Sequence, residues 1–170
     1  MFKESLQQAI NEQIVREMYS SNLYLAMAAY YASINLNGFA NWMRVQAEEE
    51  LTHALKFFDY VIDRGGKVTI GAIPAPKIEW SDPVQPFIDA LEHERKVTGW
   101  IDELVDLAHK EKDYATISFL NWFVDEQVEE EKTTSEIVER LKLAGDSKAS
   151  LFFLDSQLMN RQVEKPTKGD

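Results

Sequence analysis

Glu50 and His53 stand three residues apart in the run Glu48-Glu49-Glu50-Leu51-Thr52-His53. Met43, Ala47, Glu50, Ala54, Phe57 and Val61 recur around them at steps of three and four, the period of one helix face. That face is apolar except at Glu50, and His53 follows one turn on. A carboxylate and an imidazole turned toward a hydrophobic core need a partner, because a buried charge must be paired or coordinated. A metal ion supplies one. The same reading finds a glutamate on three more apolar seams: Glu17, Glu94 and Glu130, with Gln127 one turn before the last. Any one of them is explained by a hydrogen-bonded core position. Four carboxylates at one depth are not, unless cations balance them. Two divalent ions carry the required four positive charges. Oxygen ligands with one imidazole suit iron or manganese.

The elements that must position these side chains are long helices. Residues 5–34 form the first, with Leu6, Ile10, Ile14, Glu17, Ser21, Leu25 and Ala28 as its inner seam. Asn35-Leu36-Asn37-Gly38 ends it, with Gly38 free to take positive φ. The second runs over 39–64 and stops at Gly65-Gly66. The third starts at Pro83, with Asp82 as its N-cap, and carries Phe87, Leu91, Glu94, Thr98, Ile101 and Val105 inward. The fourth starts near Tyr114, and Gly145-Asp146 closes it. Its seam is Leu120, Phe123, Gln127, Glu130, Thr134, Ile137 and Leu141. Each helix is about 40 Å long at ~1.5 Å per residue.

Short links join helices one to two and three to four, so each pair is antiparallel. Between helices two and three lie residues 65–82, with three glycines and two prolines. Extended, that stretch spans roughly 60 Å, enough to run the length of the bundle. The expected fold is therefore all-α: a four-helix bundle with one long crossover. The interval from Glu17 to Glu50 recurs between Glu94 and Gln127, so the chain reads as two similar hairpins.

A short fifth helix is expected over 147–159, with Leu151, Leu154 and Leu158 in one stripe. This apolar face either folds back over the end of its own bundle or enters a subunit contact. The prediction drawn from the second is burial between subunits, so that truncation before Ser147 leaves the bundle helical but weakens or changes the shell. The domain is expected to span residues 1–160, with residues 161–170 as a polar, flexible tail.

Composition narrows the function. The 170 residues suit one domain, and a net charge of −11 argues against nucleic-acid binding. No cysteine is present, which excludes thiolate sites, disulfides and thiol catalysis. The polar N-terminus enters a helix directly, and no apolar run approaches membrane-spanning length. A soluble, cytoplasmic protein is expected.

These motifs resemble the non-haem bacterial and archaeal ferritins, over nearly the whole chain. The specific parts are Gln46-Ala47-Glu48-Glu49-Glu50-Leu51-Thr52-His53-Ala54, His93-Glu94, and Phe123-Val124-Asp125-Glu126-Gln127-Val128-Glu129-Glu130-Glu131. The ferritin-like carboxylate bundle is itself a known arrangement. The resemblance implies a homo-oligomeric shell, commonly of twenty-four subunits. Such a shell oxidises Fe(II) with dioxygen or peroxide and stores ferric mineral. It further implies that Glu17 and His53 hold one iron, Glu50 bridges, and Glu94 and Glu130 hold the second. Gln127 would lie near the face where oxygen reacts. Tyr24 would hydrogen-bond at the site as a redox-active side chain, against the plainer role of a packed tyrosine. Glu49, Glu126 and Glu129, with Glu130 shared, form either a third iron site or a solvated acidic face. Trp122 is read as packing, and His93 and His109 as ordinary surface or boundary residues.

Relatives separate on particular positions. Bacterioferritins carry a second Glu-x-x-His where this chain has Gln127-x-x-Glu130. They bind haem through a Met where it has Leu51, so no haem is expected. A rubrerythrin would need cysteines. A cage subunit without catalysis would lack the core ligands, and an oxygenase acting on an organic substrate would need a pocket beside the metals.

Overall fold

The computed structural model describes residues 2–163. Positions 164–170 of the expected tail lie outside the described residues. The described part is helical: α1 (Glu4–Ser33), α2 (Asn37–Asp63), α3 (Gln85–Glu111), α4 (Tyr114–Ala144) and α5 (Lys148–Leu158).

One alternation along the helices explains the architecture. In α1 the buried residues run from Leu6, Ile10 and Ile14, through Glu17, Ser20 and Ser21, to Leu23, Tyr24, Met27 and Tyr31. In α2 the aromatic group comes first, with Phe39, Trp42 and Met43. Gln46, Glu50 and His53 follow, and then Ala54, Phe57 and Val61. α3 repeats the order of α2, and α4 repeats that of α1. Two apolar clusters result. One holds Tyr24, Tyr31, Phe39, Trp42 and Phe87; the other holds Leu6, Ile14, Phe57, Ile101 and Phe123. A polar layer crosses all four helices between them. Because α2 and α3 run the same way, the chain between them must return along the bundle.

That return segment is pinned at both ends. Near its start, the Asn11 amide donates to the Lys67 carbonyl (3.0 Å) and its oxygen accepts from the Thr69 N–H (3.1 Å). The Gln7 side chain accepts from the Lys67 N–H (2.8 Å). Near its far end, Asp89 receives the Lys77 ammonium and the Trp80 indole N–H, both at 2.8 Å.

The structure differs from the sequence expectation in three places. Leu25 is half exposed, and Tyr24 takes the inward position instead. The left-handed residue of the first turn is Asn35 (φ 62), a residue type that tolerates this region. Gly38 lies inside α2. Third, α3 begins at Gln85, not Pro83. The Asp82 carboxylate does accept from the Val84 and Gln85 amides. The Pro83 carbonyl, however, accepts from the Tyr31 hydroxyl (2.7 Å), and the helical ladder opens with the Phe87 N–H on the Val84 carbonyl. Pro86 then sits in the first turn, where a missing N–H leaves nothing unpaired.

α5 folds back, the first of its two expected destinations. Leu151, Leu154 and Leu158 pack, partly buried, against the aromatic cluster of their own bundle, so the stripe folds back over the bundle end. Asp155 draws it there: its carboxylate is buried and accepts from the Phe39 N–H at 2.9 Å, serving the N-terminus of α2. Phe152 and Phe153 face outward, 70% and 60% exposed. The role of Gly38 follows from the same contact. A Cβ on it would lie 1.6 Å from the Asp155 carbonyl oxygen. Gly38→Ala is expected to push α5 off its seat and to destabilise the chain by about 1–3 kcal/mol, the usual cost of overpacking. Chemical denaturation of the purified variant checks this; an unchanged midpoint and slope would mean that α5 shifts freely.

Candidate metal centre

The polar layer draws on every helix of the bundle. Glu17 comes from α1, Glu50 and His53 from α2, Glu94 from α3, and Gln127 and Glu130 from α4. None is more than 5% exposed. One ligand atom from each of Glu17, Glu50 and His53 lies within 4.8 Å of the other two, and His53, Glu126 and Glu130 form a second such set. His53 joins the two, with Nδ1 3.6 Å from Glu50 and Nε2 3.7 Å from Glu126. Glu94 belongs to neither set. The Tyr24 hydroxyl donates to its Oε1, and the Gln127 amide donates to its Oε2 at 3.2 Å.

Two glutamines that sequence reasoning passed over steady the remaining carboxylates. Gln13 Nε2 donates to Glu17 at 2.7 Å. Gln46 Nε2 donates to Glu130 at 2.6 Å, with Glu50 3.4 Å away. The signal was available. Each glutamine precedes an inward glutamate by four residues, in α1 and again in α2, and that spacing stacks the two side chains on one face.

Electrostatically the layer is unbalanced. Burial, then the neighbouring charge of Glu50, pushes Glu17 up to about 8. Burial followed by Glu130 does the same to Glu94, and burial followed by Glu50 to Glu130, both to about 8. Burial and the charge of Glu94 raise Glu50 as well. For His53, burial pulls down, but Glu126 and Glu50 outweigh it and lift the imidazole well above its ordinary value. Among the described residues, Glu17 Oε2 and Glu50 Oε2 are buried without a hydrogen-bond partner. Leaving such atoms unpaired is costly. Orphan carboxylate oxygens converging on one imidazole are the donor set a hard or borderline divalent cation takes.

The other expected residues separate clearly. Glu126 lies against His53, whereas Glu129 is exposed. Glu49 is turned to Arg161, 2.6 Å away. Trp122 packs edge-on to His53 at 5.4 Å, with the Lys56 ammonium 3.3 Å from its ring centre. His109 is exposed. His93 corrects the expectation: it is buried, and its Nε2 shares a 2.7 Å hydrogen bond with Ser20 Oγ. Burial, with Lys96 adding to it, lowers it to about 4, so it stays neutral at physiological pH. It meets Tyr19, Tyr24 and Trp100 tilted or edge-on, in an aromatic group drawn from α1 and α3 that the sequence does not juxtapose.

A long-crossover bundle with a buried carboxylate–imidazole layer at mid-height defines the class of ferritin-like carboxylate proteins. The ferritin-like domain model matches residues 7–144. The bacterial non-heme ferritin of Bacteroides fragilis (strain 638R) is 50% identical over 161 residues, covering 95% of this chain and 100% of the relative. That of Staphylococcus saprophyticus is 44% identical over 165 residues, covering 97% and 99%. An engineered closed form of Archaeoglobus fulgidus ferritin superposes with a TM-score of 0.95 at 51% identity, over 96% of this chain and 100% of that one. The open-pore ferritin of the same archaeon gives 0.94 at 52%, over 95% and 98%. The chain belongs to the ferritin family, on its non-haem bacterial and archaeal side.

Proposed function

We propose that this chain is the subunit of an iron-storage ferritin that oxidises Fe(II) at a diiron ferroxidase centre inside each subunit and keeps the ferric mineral within a homo-oligomeric shell. One observation carries this reading: four buried carboxylates and one imidazole share a layer with orphan oxygens on Glu17 and Glu50. Iron is the substrate. Two ferrous ions each give one electron to dioxygen, which takes up two protons and leaves as hydrogen peroxide; with peroxide as oxidant, water is the product.

The residues divide the task. Glu17 and His53 hold one ion, Glu94 and Glu130 the other, and Glu50 faces both. Gln13 and Gln46 orient Glu17 and Glu130 through the hydrogen bonds already described, as ligand-supporting donors do elsewhere. Gln127 and Tyr24 fix both oxygens of Glu94, and Tyr24 stands closest to that ligand as a redox-active group. Glu126, with Glu130 shared and Glu49 and Glu129 nearby, offers a third, weaker iron position. Protons held by the raised carboxylates leave as Fe(II) enters. Leu51, half exposed on α2, offers no axial ligand, so the chemistry runs without haem.

A shell of twenty-four copies would cover the outward Phe152 and Phe153 and enclose the mineral. The net charge of −11 draws cations toward it. Among the described residues no helix is long and apolar enough to cross a membrane, and a cytoplasmic location fits this role. Mixing apoprotein aerobically with Fe(II), then sizing the product, tests the whole reading. The expected result is rapid ferric absorbance that co-elutes with a large, iron-dense particle. Oxidation no faster than in buffer, or iron that elutes apart from the protein, overturns it.

A further inference from the structure

Glu49 adjoins the bridging position yet leaves α2 on the neighbouring face, with its side chain 17% exposed. Its charge reaches Glu130, whose carboxyl it helps to raise. Arg161 meets it there, and the guanidinium is held from several sides. Nη2 donates to Glu49 Oε2 at 2.6 Å, and Nη1 donates to the Trp42 carbonyl at 3.3 Å. The guanidinium carbon lies 4.4 Å over the Trp42 ring, within cation–π range. The backbone is fixed too: Asn41 Nδ2 donates to the Arg161 carbonyl (3.0 Å) and to that of Leu158 (3.2 Å).

We propose that Arg161 is a tethered counter-ion for Glu49, standing in charge where a third metal ion would otherwise bind. The centre therefore takes two ions strongly and a third only by displacing the guanidinium. This rests on the reading of Glu49, Glu126, Glu129 and Glu130 as a third iron position. The physical case is the chemistry of the pair. A guanidinium stays charged at any physiological pH, so a rise in pH cannot lift the block. Its bond to a carboxylate is charge-assisted and short, and a cation at Glu49 must replace it. The exclusion is reciprocal: a third ion frees the end of α5 from α2, and that contact in turn weakens the third ion by the same factor.

Calorimetric titration of the assembled apoprotein with Fe(II) under anaerobic conditions tests this, with Zn(II) as a redox-inert second probe. The parent is expected to take two ions per subunit tightly and a third weakly. In Arg161→Gln the third should tighten about tenfold or more, one charge-assisted bond's worth, while the first two stay unchanged. Asn41→Ala loosens the end of α5 but leaves the charge, so it should move the third ion much less. Equal tightening in both variants would assign the effect to helix docking and overturn the proposal. A third ion bound alike by parent and Arg161→Gln would overturn the role of Arg161 but leave the third position standing. No third ion in any variant would remove the third position itself. If Arg161→Gln does not assemble, Arg161→Lys serves: it keeps the charge, loses the planar fork, and should give a smaller shift in the same direction, with no shift counting against the proposal.

Discussion

Glu50→Ala is expected to fold, assemble and lose rapid Fe(II) oxidation, the initial rate falling by about a hundredfold or more. Loss of a residue that merely supports a ligand commonly costs 10–100-fold, and Glu50 is proposed to touch both ions. Its position supports so large an effect. Its Oε2 is buried and unpartnered, with His53 Nδ1 3.6 Å away. The fold should survive. Glu50 lies between the two apolar clusters, and its removal relieves the repulsion that raises Glu17 and Glu130. Stopped-flow absorbance of ferric product, set beside size-exclusion profiles of parent and variant, makes the measurement. Equal initial rates would show that another residue bridges.

Glu94→Gln is expected to uncouple the stability of the apoprotein from its response to metal. The sign follows from linkage. A carboxyl with an ordinary value of 4.5 that rises to about 8 in the folded protein holds its proton there while the unfolded chain has released it. Its stabilising contribution is whole below 4.5 and is lost as pH climbs through 8. Glu17 and Glu130 act in the same sense. So does His53, whose raised value gives stability below its ordinary 6.5 that fades as pH passes the folded value. The apoprotein should therefore melt at lower temperature at pH 8 than at pH 5. With Gln at position 94, Tyr24 still has an oxygen to donate to, and the Gln127 amide can turn to present its own oxygen. The apo variant should match the parent near pH 5 and equal or exceed it at pH 8.

Metal reverses the order. At a hundredfold excess over Kd, Zn(II) adds about 2.7 kcal/mol to the parent. For a chain of this length that is about 5–10 °C. The gain should be smaller in Glu94→Gln, which lacks a ligand, and should shrink in the parent on acidification as protons compete. Calorimetric scans of both proteins, with and without Zn(II), supply the comparison. A variant that loses apo stability sharply at pH 8 yet keeps the full metal shift would make Glu94 a structural hydrogen-bonding residue.

Much of this site could be read from spacing alone. Glutamates that interrupt a three-and-four apolar pattern in four helices have one interior to share. The length of residues 65–82 then settles which way the helices run. What escaped depends on meetings across the fold. His93 looked partnerless because Ser20 is 73 residues away in the chain. The leucines of α5 gave no hint of their destination, since the same stripe suits a neighbour's surface as well as the home bundle. Pro83 looked like a helix start because nothing local reveals that Tyr31 takes its carbonyl. Arg161 looked like the start of a loose tail because its partners, Trp42 and Glu49, lie on α2. Gly38 looked like a turn residue, and its small size serves instead a backbone that arrives from α5.

That last contact bears on how the chain is made. The Phe39 N–H lies buried near the start of α2, and its partner, Asp155, stands 116 residues later. A nascent chain can form both hairpins and both apolar clusters while this donor is still waiting. Only once α5 has been made does the carboxylate reach it. Asp155 thus closes a contact that the chain can make only after both hairpins have been made. A chain cut short before α5 would carry an open notch at Gly38 and a bare amide beneath it.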